Sequence, residues 1–287
     1  MMKSETACIN CVFKQAFNTA KYATDSLEER LEIIERLTEI AGDFNLNDAP
    51  TVICQNAYRI CAEVTGNKDP YAAEKKMTNE IAMKELPFIK KCIAEAADSL
   101  LAALHAAAAG NVIDCGIAQE YDLEQDIKTF LKIPFTRNHI EQLREDMKGA
   151  KKILILGDNA GEIVFDTLLV KELKKDVEEI VYCVKSGPII NDATMEDAIS
   201  VGMVECADRI IETGSDDIGV NWNNCSQELK DELFSSDIVI SKGQGNFESC
   251  CDVEHNIYFL LKAKCDIIAT NTKVAFGDLM FINQKRI

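Results

Sequence analysis

Two side chains that carry oxygen, Asp158 and Asn159, follow the apolar run at residues 153–156 and Gly157. The run predicts a buried parallel strand, and the segment from Glu162 predicts a helix after a tight turn. Ligands bind at the carboxyl ends of strands in such sheets. A carboxylate and an amide there suit a hard divalent cation, with water as its other ligands. The helix start also favours a bound anion, whereas an Asx turn that caps the helix is the alternative explanation.

A second polar loop, residues 185–194, follows the apolar stretch at residues 179–184, which predicts the next strand. Because parallel strands present their carboxyl ends at one edge, Asp192 is expected beside Asp158, where it can complete a set of oxygen ligands. Lys185 provides a positive charge for a bound phosphate. Capping of the following helix by Asn191 or Asp192 is the alternative interpretation.

A glycine-rich loop, residues 241–246, follows another apolar stretch at residues 237–240. Its two glycines, Gly243 and Gly245, allow the backbone to approach a ligand closely, and Lys242 can neutralise phosphate charge. A lysine directly after a buried strand, in an acidic chain, indicates an anion site more strongly than the glycines do.

Two further polar segments have simpler explanations. Residues 213–217 carry hydroxyls and carboxylates after a short predicted strand, and their composition is typical of a surface turn. Residues 110–114 end an alanine-rich helix. A glycine cap and turn are favoured there over contact of Asn111 and Asp114 with the sheet edge.

Cys8 and Cys11 form the one C-x-x-C pair of the sequence, a spacing that can hold a metal or be redox-active. A zinc site needs two more ligands. Neither a second such pair nor the three histidines provide them at ligand spacing. The sequence therefore favours a structural or adventitious role for the pair.

The elements that must position these side chains change in character along the chain. Residues 1–149 are predicted to be mainly helical, whereas strands and helices alternate in residues 150–287, which indicates a parallel sheet with right-handed crossovers. Helices are predicted at 27–44, 50–66, 85–109, 122–132, 138–147, 165–174, 194–201 and 226–234. Strands are predicted at 153–156, 179–184, 209–212, 237–240, 257–261 and 267–269.

Composition excludes several classes of function. The 287 residues include 48 acidic and 31 basic side chains, a net charge of -17, which disfavours binding of nucleic acid or of an anionic membrane. There is no apolar stretch of about 18 residues and no signal-peptide pattern. Twelve scattered cysteines then predict reduced thiols and a cytoplasmic protein.

Taken in order, six segments resemble the damage-control phosphatase family of metal-dependent phosphatases. They are GNVID, ILGDNAGEIVFD, VKSGPIINDAT, ETGSDDIG, DIVISKGQGNFE and IYFLLKAKCDIIA. The N-terminal CINC is similar to the C-x-x-C of the prokaryotic branch. The resemblance covers nearly the whole chain, and the motifs are specific in combination.

The resemblance implies an α/β fold with a three-layer α/β/α, mostly parallel core (150–287) and a helical N-terminal subdomain (1–149). It implies a divalent cation, Mg²⁺, Mn²⁺, Co²⁺ or Ni²⁺, held by Asp158, Asn159 and Asp192. Lys242 joins these three as a catalytic residue by binding the phosphate. The implied substrate-binding residues are Asn111, Asp114, Lys185, Gly243, Gln244 and Asn246. Some relatives carry an acidic residue where Gln244 stands.

The implied reaction is hydrolysis of a small phosphorylated metabolite, such as a sugar phosphate or a phosphopantetheine-like compound. A cation and a lysine would offset the charge of the transferring phosphoryl group. Direct attack by water is favoured over an aspartyl-phosphate intermediate, because Asp158 cannot readily be both a tight ligand and the nucleophile.

Two other functions are compatible with parts of the sequence. The turn LGDNAGE also looks like a nucleotide-binding turn of an S-adenosylmethionine-dependent methyltransferase or a dinucleotide enzyme. Those enzymes need an acidic residue after the second strand, where this chain has Lys185, and the G-x-G-x-x-G spacing is missing. A non-catalytic protein that binds a metal or a phosphometabolite is the other alternative.

Overall fold

The structure, a computed structural model, describes residues 2–109 and 123–286. Its strands are β1 Arg137–Asn138, β2 Lys152–Leu156, β3 Glu179–Val184, β4 Arg209–Glu212, β5 Ile238–Lys242, β6 Ile257–Lys262 and β7 Leu279–Asn283. The α-helices of the described residues are α1 Thr6–Ala23, α2 Leu27–Ile40, α3 Pro50–Thr65, α4 Ala72–Glu95, α5 Ser99–Ala108, α6 Leu123–Phe130, α7 Ile140–Met147, α8 Glu162–Leu173, α9 Met195–Ser200, α10 Gln227–Ser235, α11 Gln244–Cys250 and α12 Asp266–Thr272. None of the described helices is both long and apolar enough to cross a membrane.

The strands form one mostly parallel sheet in the order β1-β7-β6-β5-β2-β3-β4. Among the strands of residues 2–109 and 123–286, only the β6–β7 pair is antiparallel. The chain moves outward from β2 in both directions, so the sheet has its topological switch point beside β2. The register pairs Leu156 with Cys183 on one side and with Ser241 on the other. The loops after β2, β3 and β5 therefore begin at the same level.

Helices cover both faces of the sheet, which confirms the expected α/β class and its layers. Alternate residues of β2 enter two different hydrophobic clusters, as the two-residue period of a strand requires. One cluster contains Ile153 and Ile155 with residues of α4 to α8, among them Ala82, Leu104, Ile127, Leu143 and Leu169. The other contains Leu154 and Leu156 with residues of α1, α2, α3 and α10, among them Val12, Ile33, Ala57 and Leu229. Both clusters combine residues from before and after position 150, and the predicted domain boundary there stays a prediction.

Local capping explains why several helices form where the sequence predicts them. Ser26 accepts a hydrogen bond from the Glu29 backbone N–H at 3.3 Å at the start of α2. Gly66 ends α3 in the left-handed conformation at φ 68°, which a glycine adopts without strain. At α9, Thr194 and Asp197 form a capping box.

The prediction of one helix over residues 85–109 is wrong. The helix is interrupted between α4 and α5. Asp98 accepts a hydrogen bond there from the Leu101 backbone N–H at 3.0 Å. The same carboxylate pairs with Arg144 at 2.5 Å. An N-cap and a long-range ion pair thus override the uniform helix propensity of the alanine-rich segment.

The strand predicted at residues 267–269 is also wrong, because these residues belong to α12. A short apolar run is compatible with either a buried helix or a strand, and periodicity alone cannot separate them. The last strand is instead β7, and its antiparallel pairing with β6 and the two-residue β1 were not predicted. The glycine-rich loop is short, since α11 begins at Gln244.

Candidate active site

The loops after β2 and β3 are joined by backbone hydrogen bonds, which bring Asp158, Asn159 and Asp192 together. The Ala193 N–H donates to the Asp158 carbonyl at 2.8 Å, and the Ala160 N–H donates to the Asn191 carbonyl at 2.8 Å. Asn159 and Asp192 form an isolated antiparallel bridge between the loops. The parallel register of β2 and β3 makes this pairing possible.

A cavity of about 630 Å³ opens over these three residues. Its floor includes Asp158, Asn159 and Asp192, and its rim includes Gln244 and Lys264. The far wall consists of residues from α1 and α3, which belong to the helical half of the chain. A volume of this size is typical of small-molecule sites.

Gly243 has no room for a side chain because the Asp158 carboxylate lies against it. A Cβ at this position would lie 2.1 Å from Asp158 Oδ2, and the residue has φ +79°. Gly243 therefore lets the β5 loop approach the carboxylate. Asn246 donates to the carbonyls of Gly157 at 2.9 Å and Lys242 at 2.8 Å, which joins the ends of β2 and β5.

Lys242 lies beneath the cavity floor, buried between two carboxylates of α8. Its Nζ contacts Glu162 Oε2 at 2.8 Å and Asp166 Oδ1 at 2.7 Å, and the Tyr182 hydroxyl donates to Asp166 Oδ2 at 2.6 Å. Burial raises the pKa of Asp166 to about 6 against the attraction of Lys242. Burial opposes the charge of Lys242, but Asp166 and Glu162 outweigh it and raise the pKa of the lysine. A direct contact of Lys242 with phosphate stays a prediction.

Lys185 is also buried, and its ammonium group links the loop after β3 to the loop after β4. It donates to the carbonyls of Asp217 at 3.0 Å and of Gly219, and it lies 3.5 Å from Asp192 Oδ2. Its contact with a substrate stays a prediction. Thr213 and Asp217 are buried, and the Asp217 carboxylate pairs with Arg59 of α3 at 3.0 Å, so the 213–217 segment is not a plain surface turn.

Three predicted substrate-binding residues remain, namely Gln244, Asn111 and Asp114. Gln244 lines the cavity, and its amide donates to Glu248 Oε1 at 2.8 Å. Asn111 and Asp114 lie outside the described residues, so their place in the cleft stays a prediction.

One of the backbone amides expected to bind an anion after β2 already has a hydrogen-bond acceptor. The Gly161 N–H donates to Asn79 Oδ1 at 2.7 Å.

Negative charge is crowded at the cavity floor. Burial raises the pKa of Asp158 well above its usual range, and the charges of Glu162 and Asp192 raise it further, against Lys264 and Lys242. Burial likewise raises the pKa of Asp192, although Lys185 opposes the shift. A cation bound between these carboxylates would relieve the repulsion.

The donor set suits a hard divalent cation. Asp158, Asn159 and Asp192 offer only oxygen atoms when the Asn159 amide turns its carbonyl inward, and Mg²⁺ or Mn²⁺ prefers such ligands together with water. In the described part of the chain, no group of three or more His, Cys, Asp or Glu side chains is arranged to hold a metal ion. The amide of Asn159 and water would therefore have to complete the coordination.

Lys264 is the residue of the cavity rim that sequence reasoning missed. It is exposed, it lines the cavity with Asp158 and Asp192, and its charge lowers the pKa of both carboxylates. It follows β6 closely, so its position after a buried parallel strand was the available signal. Unlike Lys242 and Lys185, it presents its charge to the open cavity.

Comparisons with known proteins agree over the whole chain. Residues 4–280 match the damage-control phosphatase ARMT1-like domain. A damage-control phosphatase of Archaeoglobus fulgidus is 32% identical over 285 residues, which are 97% of this chain and 98% of the relative. A damage-control phosphatase of Pyrococcus horikoshii is 33% identical over 288 residues, 99% of either chain. The crystal structure of a DUF89 family protein from Pyrococcus horikoshii is similar with a TM-score of 0.92 and 31% identity, covering 99% of this chain and 100% of that one.

Replacement of Lys242 by methionine should strongly destabilise the fold, because it leaves Glu162 and Asp166 buried without their cation. We expect the free energy of unfolding to fall by about 3–5 kcal/mol in urea titrations near neutral pH. The deficit should shrink toward about pH 5, since protonation of Asp166 then removes one unpaired charge. Lys262→Met, at an exposed position of β6, is the control and should cost less than about 0.5 kcal/mol. Equal stability of the two variants would contradict the structural role of Lys242.

Proposed function

The chain belongs to the damage-control phosphatase ARMT1-like family, and from this premise we propose that it hydrolyses small phosphomonoesters with the help of a divalent cation. The names of the relatives support phosphate-ester hydrolysis. One observation supports the cation: Asp158, Asn159 and Asp192 converge on the floor of a cavity where carboxylate charge is in excess. Phosphoryl transfer needs such charge neutralisation above all.

Asp158, Asn159 and Asp192 would hold the cation, which, when bound, polarises phosphate oxygens and orients the attacking water. Asp158 is fixed for this role by its contact with Gly243, and Asp192 is held by Lys185. In this arrangement Asp158 is a ligand, and water rather than Asp158 attacks the phosphorus.

Lys264 is our candidate for the side chain that binds the phosphate directly. Lys264 lines the same cavity as the Asp158 and Asp192 carboxylates, so a phosphate bound on the floor would lie within its field. A charged hydrogen bond from Lys264 would offset the negative charge of the phosphoryl group. Lys242 then acts indirectly, since it fixes α8 against β5 beneath the floor.

The substrate is a small phosphorylated metabolite, such as a sugar phosphate or a phosphopantetheine-like compound. The cavity of about 630 Å³ has room for such a molecule. Its polar floor suits the phosphate, and the more apolar wall of Met2, Pro50, Ile218 and Phe276 suits the remainder. Family membership supports this function over an S-adenosylmethionine-dependent transferase.

Removal of one carboxylate charge from the floor should abolish turnover while the fold persists. We expect Asp158→Asn to lower metal-dependent release of phosphate at least about 100-fold, because the variant keeps the shape but weakens the cation site. The assay uses Mg²⁺, Mn²⁺, Co²⁺ and Ni²⁺ with a panel of phosphomonoesters, and circular dichroism monitors folding.

Asp176→Asn, at an exposed position beyond α8, is the matched control and should keep wild-type activity. Wild-type turnover by Asp158→Asn would contradict the ligand assignment. Absence of phosphate release by the wild-type protein with every metal and ester would instead favour a non-catalytic binding protein.

Lys264→Gln should raise the KM for a phosphomonoester about tenfold, because a charged hydrogen bond to phosphate is lost. Lys171→Gln, at an exposed position of α8 that does not line the cavity, removes the same charge and is the control. Steady-state kinetics at constant ionic strength separate KM from kcat. Equal KM values for the two variants would exclude Lys264 as a phosphate ligand.

A further inference from the structure

The wall of the same cavity carries a group of thiols that the proposed hydrolysis does not use: Cys8, Cys11, Cys54 and Cys265. Cys8 and Cys11 lie on α1, Cys54 lies on α3, and Cys265 directly precedes α12. All four are free thiols. The C-x-x-C motif therefore belongs to the cavity, although its sequence spacing alone favours a structural or adventitious role.

Cys11 and Cys54 lie on the two packed helices α1 and α3, and both line the wall of the cavity. Cys11 is exposed and Cys54 is half-buried. One turn further along both helices, the Tyr58 hydroxyl donates to Gln15 Oε1 at 3.0 Å. The packing of α1 on α3 thus holds the two sulfur atoms opposite each other.

The surroundings of the two thiols differ in the way that a reactive pair requires. The hydrogen bond from Cys54 and the charge of Lys14 lower the pKa of Cys11 to about 6, against burial. The lowered pKa favours the thiolate of Cys11, which is the nucleophilic form of the side chain. The same hydrogen bond, together with burial, raises the pKa of Cys54, which stays protonated.

The sulfur atoms of Cys8 and Cys265 accept hydrogen bonds from other groups. Cys8 Sγ accepts a hydrogen bond from the Glu5 N–H at 3.4 Å at the start of α1, and burial raises the pKa of this thiol. Cys265 Sγ lies 3.7 Å from the Gln244 amide nitrogen, which donates to it. Since the described residues hold no metal-binding group of three or more Cys, His, Asp or Glu, the arrangement favours thiol pair chemistry over a thiolate metal centre.

We propose that Cys11 and Cys54 are a redox-reactive pair, which a hydroperoxide oxidises to a disulfide in the wall of the site cavity. The Cys11 thiolate attacks the terminal peroxide oxygen, so that an S–O bond forms while the O–O bond breaks. The departing alkoxide takes up a proton and leaves as the alcohol, or as water when the oxidant is hydrogen peroxide. Cys11 is then a neutral sulfenic acid.

Cys54 completes the reaction by attacking the Cys11 sulfur after losing its proton. The S–S bond forms, the S–O bond breaks, and the released hydroxide takes up the proton as water. Two thiols thereby give two electrons to one peroxide. The sulfur atoms must approach to about 2.05 Å, and a small-molecule thiol can reverse the bond by exchange.

This inference does not rest on the proposed phosphatase activity, so its test needs no measurement of phosphate release. The reduced full chain is treated with one equivalent of hydrogen peroxide near neutral pH and mapped by non-reducing peptide mass spectrometry. We expect a Cys11–Cys54 cross-link, with fragment ions that distinguish Cys11 from Cys8. In Cys54→Ser, dimedone should trap a sulfenic acid at Cys11, whereas Cys11→Ser should leave Cys54 as a thiol.

Cys92, a half-exposed thiol on α4 outside this cavity, is the internal control within the same protein. Burial raises the pKa of Cys92, so we expect it to react with peroxide at least about tenfold more slowly than Cys11. A main product linking Cys8 to Cys11, or equal rates for Cys11 and Cys92, would overturn the proposal. The wild-type map alone decides this, whether or not a variant folds.

Discussion

A buried lysine shared by two carboxylates is the interaction on which the site depends. Lys242 at the end of β5 binds Glu162 and Asp166 of α8, and all three side chains are excluded from solvent. Charges in such a place persist only when they are paired, because each alone would lose its hydration. Strand β5, which carries the glycine-rich loop, is therefore fixed to α8, the helix that follows Asp158 and Asn159.

The geometry of the cavity floor follows from that connection. With β5 and α8 held together, Gly243 lies against the Asp158 carboxylate and Asn246 reaches the Gly157 carbonyl. Paired loops then bring Asp192 to the same point. The result is a concentration of negative charge at the carboxyl ends of parallel strands, which a bound cation can convert into a phosphate site.

Sequence patterns predicted the parts of this arrangement that follow from the sheet. A continuous apolar strand followed by Asp158, and a second followed by Asp192, must place both side chains at one edge, as the parallel pairing of β2 and β3 does. They could not separate Lys242 from Lys264, because both lie at the carboxyl end of a strand and only the packing of α8 decides which one is buried. The helix break at Asp98 depends on Arg144, 46 residues away. In the same way, the position of Cys11 opposite Cys54 depends on the packing of α1 against α3.

We propose above all that Asp158, Asn159 and Asp192 together form a cation site. Anomalous diffraction from crystals grown with Mn²⁺, recorded on both sides of the manganese absorption edge, locates the ion without any assumption about activity. We expect one strong peak within coordination distance, about 2.0–2.4 Å, of oxygen atoms from these three side chains. A peak at the thiol group of Cys11 and Cys54, or no peak at the cavity floor, would contradict it.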